Sequence, residues 1–191
     1  MPDGPLDPPL RVDWLDSDLL ADGRMGRLGI TIMPGKRGPS LRYPGRVYRR
    51  DLDVDLRVLR EAGVRRLILL VEDAELERWG DPSIAERARG HGIEVTRAPI
   101  PDGRAPRDVS VMDAILAEVA LGRATGDVAV ACMGGVGRSG MVGASALVAV
   151  GLTPSEAIAA IRATRHPHAV ETAEQQEFVA AYAAHRQITG G

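Results

Sequence analysis

Residues 126–141 read Gly126-Asp-Val-Ala-Val-Ala-Cys132-Met-Gly-Gly-Val-Gly-Arg138-Ser139-Gly-Met141. A β-branched run ends on Cys132, the only cysteine in the chain. Five residues, three of them glycine, separate it from Arg138, and a helical stretch follows from Met141 to Val150. A strand therefore delivers a thiol to a glycine-rich loop, and the loop opens a helix. Gly134, Gly135 and Gly137 allow successive backbone N–H groups, with those of Met133 and Val136, to turn inward as an anion nest. An anion held there also meets the first turn of the next helix.

The residue types complete the chemistry. A free thiol has a pKa of about 8.5, and a helix N-terminus and a guanidinium both favour its thiolate. Arg138 can fork onto two oxygens of a phosphoryl group, and Ser139 can donate to the sulfur and steady it as a leaving group. The chemistry that suits this set is attack of sulfur on phosphorus through a covalent cysteinyl-phosphate.

Other readings of the same residues fall short. Gly135-Val-Gly137-Arg-Ser-Gly140 fits a dinucleotide fingerprint, but no second parallel strand ending in an acid follows; Thr153-Pro154-Ser155-Glu156 starts another helix. A Walker-type phosphate loop needs lysine where Arg138 stands. A lone cysteine is commonly a small buried hydrophobe. Against that, three glycines in four positions cost backbone entropy with no packing return, and a neighbouring arginine is hard to bury unpaired.

Cys132, five residues, Arg138 and Ser139 resemble the signature of the cysteine-dependent protein tyrosine and dual-specificity phosphatases. The inner Cys-x-Gly-Gly-Val-Gly-Arg-Ser is similar to that of the kinase-associated group, and a weaker likeness extends over residues 26–186. The resemblance implies a single α/β domain with a mostly parallel central sheet flanked by helices. It implies a phosphatase acting on phosphotyrosine, extending to phosphoserine and phosphothreonine, with a phosphorylated protein or a small phosphomonoester as its partner and no cofactor or metal. It also implies a general acid on a Pro-Asp loop some 30 residues before the nucleophile. Pro101-Asp102 stands there, in the proline-rich segment 96–108. As a bare motif, Pro-Asp-Gly is a turn; its order and distance relative to Cys132 make Asp102 the expected acid. Asp108 is read as a helix N-cap. Downstream, Ala169 to Phe178 resembles the family's glutamine loop, with Gln175 and Phe178 matching and Glu171 where a glutamine is often found. The family's usual histidine before the nucleophile is here Ala131, which predicts a less acidic thiol.

Composition bounds the remaining readings. The chain has 191 residues, enough for one α/β domain, and its core must be aliphatic because aromatics are 3%. A net charge of −2 leaves no broad basic field for nucleic acid or a membrane surface. Of 24 basic residues only Lys36 is a lysine, a bias expected of a GC-rich bacterial genome. The longest apolar run is too short to span a bilayer, and no secretory signal is visible, so a cytoplasmic location is expected. One cysteine excludes an internal disulfide.

Residues 1–24 read as a Pro/Asp-rich segment, only partly ordered, whose Trp14 and Leu15 dock on the domain, and residues 25–188 as the phosphatase domain. Strands are expected at Arg27–Met33, Arg66–Val71, Ile93–Ala98 and from 127. Helices are expected at Asp51–Ala62, Ala74–Trp79, Ser83–His91, Val109–Ala124, after the Thr153 capping box, and at Thr172–Gln187. The Asp51-x-Asp53-x-Asp55 triplet lacks the glycine and distal acid of a calcium loop, and His166-Pro-His168 is assigned no metal.

Overall fold

The computed structural model describes residues 7–20, 26–40 and 42–189. Five strands form one sheet: β1 (Asp13–Trp14), β2 (Leu28–Ile32), β5 (Val64–Leu69), β6 (Glu94–Arg97) and β7 (Asp127–Cys132). Their order is β1-β2-β7-β5-β6, parallel except for β1. β3 (Arg37–Pro39) and β4 (Val47–Arg49) make a separate antiparallel hairpin. The helices are α1 (Leu52–Glu61), α2 (Asp73–Trp79), α3 (Ile84–Gly90), α4 (Val109–Arg123), α5 (Arg138–Ala149), α6 (Pro154–Thr164) and α7 (Ala173–Thr189).

The period-two alternation of β7 divides the core. Val128, Val130 and Cys132 join residues of α4, α5, α6 and α7 in one buried cluster. Ala129 and Ala131 join those of α1, α2 and α3 in the other. A sheet covered on both faces needs apolar residues at both parities, and β7 supplies them as valine and alanine. Leu28, Ile30, Leu67, Ile68 and Leu69 of the neighbouring strands are fully buried. The expectation of a single α/β domain with a mostly parallel, helix-flanked sheet is met.

Local signals explain the helix ends. Asp51 accepts from the Val54 amide and Asp108 from the Ser110 amide, each capping its helix. Thr153 and Glu156 form the expected reciprocal capping box before Pro154. The Asp triplet divides into structural tasks: Asp51 caps α1, Asp53 pairs with Arg87, and buried Asp55 pairs with Arg50. No grouping of His, Cys, Asp or Glu suited to a metal occurs among the described residues.

The β3–β4 hairpin has no counterpart among the strands expected from the sequence. Gly38 and Gly45 have φ of 89° and 82°, so the ladder is short and tightly turned; Leu41 lies outside the described residues. Within the N-terminal segment, Leu10 and Leu15 are buried and Trp14 is half-buried against the sheet. The expected domain edge at 24–25 lies outside the described residues. No described helix is long and apolar enough to cross a membrane.

Candidate active site

β7 ends at the C-terminal edge of the sheet, where loops from successive parallel strands converge. Cys132 sits there as the last strand residue, paired with Ile32 of β2. It lines a cavity of 440 Å³ together with Met133, Gly134, Val136, Gly137, Arg138, Asp102 and Gln175. Of the sequence-predicted site residues, drawn from positions 102 to 175, all but Gly135 and Ser139 line this one cleft.

The carbonyls of Gly134, Gly135 and Val136 in the loop after Cys132 are engaged by neighbouring segments. Arg165, following α6, donates from Nε to the Gly135 carbonyl at 2.8 Å and from Nη2 to that of Gly134 at 3.2 Å, and its other nitrogen pairs with Asp13. Gly135 has φ 65°, and a Cβ there would lie 2.4 Å from the Thr31 carbonyl oxygen of β2. Only glycine fits. Gly134, by contrast, has no atom crowding its would-be Cβ other than Val136, at 4.0 Å. Val170 amide reaches the Val136 carbonyl at 3.3 Å, tying the loop to the segment before α7. Val170 itself takes φ 56°, a strained value for a β-branched residue that its complete burial enforces.

Burial raises the Cys132 thiol pKa, yet the net direction is downward. The Arg138 guanidinium, the Ser139 hydroxyl and the backbone N–H groups of Ser139 and Val136 all favour the charged sulfur. Ser139 Oγ is buried with no other hydrogen-bond partner. Ala131, where a histidine was the family expectation, faces the opposite side of the sheet, in the α1–α3 cluster. The thiolate is favoured by groups on the loop and α5, with Ala131 serving packing.

Arg138 is 1% exposed. Glu75 of α2 binds it in a bidentate fork, Nη1 and Nη2 each at 2.7 Å. The Ile100 carbonyl accepts from Nη1 at 2.8 Å, and Asp102 Oδ1 lies 2.8 Å from Nη2. Nε has no partner. Burial opposes the guanidinium charge, but Glu75, Cys132 and Asp102 more than offset it, so the pKa moves up. Asp102 is itself 62% exposed, at the mouth of the cavity.

The start of α7 braces the loop that carries Asp102. Thr172 Oγ1 donates to the Gly103 carbonyl at 3.0 Å, the Ala105 amide donates to Glu174 at 3.0 Å, and Gln175 Nε2 donates to the Arg104 carbonyl at 3.3 Å. Gln175 Oε1 accepts from the Glu171 amide at 2.9 Å. Gln175 is fully buried and packs against Gly137, where a Cβ would come within 3.0 Å of its amide. Glu171 pairs with Arg42 of the hairpin turn.

Four neighbours of the candidate site escaped the sequence reading: Glu75, Arg165, Asp13 and Lys36. The first three come from distant segments with no local motif. Lys36 carried a signal, being the sole lysine. It lines the cavity, and its ammonium sits 4.0 Å from the centre of the Tyr48 ring.

The comparisons agree with this geometry. Residues 45–152 match the family model described as Tc-R-P, polymorphic toxin system, DSP-PTPase phosphatase; this span holds Glu75, Asp102, Cys132 and Arg138. Cyclin-dependent kinase inhibitor 3 of Rattus norvegicus is 26% identical over 177 residues, covering 90% of this chain and 77% of that protein. The crystal structure of kinase associated phosphatase with its catalytic-site cysteine replaced by serine superposes with a TM-score of 0.79 at 23% identity, over 97% of this chain and 98% of that one. Tk-PTP in its active form gives a TM-score of 0.69 at 30% identity, over 91% and 96%. With more than half its length inside the family model, and with the strand, loop and helix that the signature demands, the chain belongs to the DSP-PTPase family of dual-specificity phosphatases.

Proposed function

We propose that the chain is a cysteine-dependent phosphomonoesterase that hydrolyses phosphotyrosine, and phosphoserine and phosphothreonine besides, through a cysteinyl-phosphate. The observation that carries this reading is the convergence of Cys132, Arg138 and Asp102 on one cleft, where Arg138 and Ser139 favour the Cys132 thiolate against burial. Cys132 closes one core cluster, yet it also opens on the cleft beside Arg138, which is a nucleophile's setting.

In the first step Cys132 Sγ attacks phosphorus, the P–O bond to the leaving group breaks, and the leaving oxygen takes a proton from Asp102. The nest N–H groups of residues 133–137 and the unpartnered Nε of Arg138 receive the equatorial oxygens. Arrival of the phosphoryl group competes with Asp102 for Arg138, which frees the carboxyl to face the leaving oxygen. In the second step water attacks phosphorus, Asp102 takes its proton, and the P–S bond breaks with Ser139 donating to the departing sulfur. Gln175, fixed at both ends by backbone groups, keeps the acid loop and the cysteine loop in register. No cofactor or metal enters this sequence.

The test is hydrolysis of a generic aryl phosphate by wild type, Cys132→Ser and Asp102→Ala. Turnover in wild type, its loss in Cys132→Ser, and a slow Asp102→Ala with an altered basic limb are expected. Phosphate binding without turnover above Cys132→Ser would instead make the domain a phosphate-reading module.

A further inference from the structure

Lys36 is 5% exposed, yet no carboxylate or hydrogen-bond acceptor pairs with its ammonium among the described residues. Every other cation on the wall of the cleft is engaged. Arg42 pairs with Glu171, Arg46 with Asp7, Arg50 with Asp55, and Arg165 with Asp13. The Lys36 stem is buried while its ammonium opens on the cleft, and such partial burial of an unpaired charge is costly. The Tyr48 ring beneath it gives partial compensation as a cation–π contact. Such a group is retained where an anion arrives from outside.

The topology says which anion. Arg138 reaches past the ends of β5 and β6, to the carbonyls of Leu70 and Ile100. Lys36 follows the end of β2. In the order β2-β7-β5, the two cations flank the end of β7 from opposite sides. An anion seated over Cys132 lies between them.

We propose that Lys36 is a substrate-binding residue of this cleft, taking the phosphoryl dianion from the β2 side while Arg138 takes it from the β5 side. The inference rests on the phosphatase reading and adds to it a second cation and a pH dependence of binding. Burial lowers the amine to about 8; Cys132 of β7, Asp102 of the acid loop and Asp7 of the N-terminal segment oppose that shift, and Arg46 of the hairpin adds to it. The ammonium is therefore present at neutral pH and lost just above it, and bound phosphate must raise its pKa by linkage.

Because Lys36 is the only lysine, the full-length wild-type chain labelled with 13C-lysine gives one ε-methylene resonance. Its pH titration reads this amine alone, with or without inorganic phosphate as the probe. A midpoint raised by roughly one unit or more at saturating phosphate is expected. If phosphate shifts the amides of residues 133–137 but leaves the lysine midpoint in place, the proposal falls and the phosphatase reading stands. If phosphate moves neither, both fall. Kinetics give a second arm. Lys36→Met is expected to raise KM for an aryl phosphate roughly tenfold with a smaller change in kcat. Lys36→Arg is expected to keep KM level above pH 8, where that of wild type climbs. A Lys36→Met enzyme with wild-type KM at pH 7 would overturn the assignment.

Discussion

At Cys132 the electrostatic contest is decided by neighbours one bond network away. Burial alone makes a thiol inert, and Ala131 provides no imidazole to counter it. The hydroxyl and amide of Ser139 and the charge of Arg138 suffice to turn the shift downward. Ser139→Ala removes one of these and leaves the fold's apolar contacts intact. We expect its thiol pKa, read from the pH profile of iodoacetamide alkylation, to rise by roughly one unit, with slower breakdown of the cysteinyl-phosphate; an unchanged profile would leave Arg138 and the backbone N–H groups of Val136 and residue 139 as the cause. The glycines of the same loop are unequal. Gly135→Ala would drive a methyl into the backbone of β2 and impose a positive φ on alanine, so activity and stability should both fall, by about 1–3 kcal/mol in unfolding free energy. Gly134→Ala should fold with near wild-type stability by denaturant titration. The sequence displayed the thiol, the loop and the arginine together because one continuous segment builds them. Which glycine is obligatory was not legible, because it depends on how closely β2 passes.

α2 shows how an element can serve a site from outside its motif. Glu75 occupies its first turn, where Oε2 accepts from the Glu72 amide at 2.8 Å and so satisfies a free helix N–H. The same carboxylate grips Arg138. A helix start and the cysteine-loop arginine thus share one anion, and α2 sets the orientation of the guanidinium. Glu75→Gln retains the shape and weakens the charge-assisted fork. We expect kcat for an aryl phosphate to fall about tenfold to a hundredfold with little change in thermal midpoint. A drop in stability without a drop in kcat would make Glu75 a capping residue alone. The helices were legible from caps and periodicity, and the parallel strands from their alternation with helices. The β3–β4 hairpin was not, because Gly38, Pro39, Pro44 and Gly45 read as turn residues and its pairing depends on contacts outside itself. Asp7 accepts from the Arg49 amide at 2.6 Å, and the Pro8 carbonyl from Arg50 at 3.1 Å. Glu75 was hidden for the same reason: its partner lies 63 positions away.

Across the whole molecule, the site and the stability curve are linked through Lys36. In the unfolded chain a lysine titrates near 10.5, whereas burial holds this one at about 8 in the fold. Between those values the unfolded chain keeps a proton that the folded chain has released, so stability rises with pH from about 8 toward 10.5. Below pH 8 both states are charged and the full penalty of burying the ammonium is present. Cys132 adds a rise of the same sign below pH 9, because its thiol is shifted down in the fold. Above pH 10 the raised Tyr182 phenol, at about 12, works the other way. The difference between wild type and Lys36→Met cancels Tyr182 and leaves the lysine together with its coupling to Cys132. We expect Lys36→Met to be more stable than wild type at pH 7, by about 1–3 kcal/mol in urea titrations, and the two curves to converge by pH 10. Saturating phosphate should narrow the gap at pH 7, since it supplies the anion that the ammonium lacks in the empty cleft and stabilises only the state that binds it. A Lys36→Met chain less stable than wild type at pH 7 would mean that the aliphatic stem and its contact with Tyr48 outweigh the buried charge. A gap unaffected by phosphate would mean that the charge is not answered by the substrate's own.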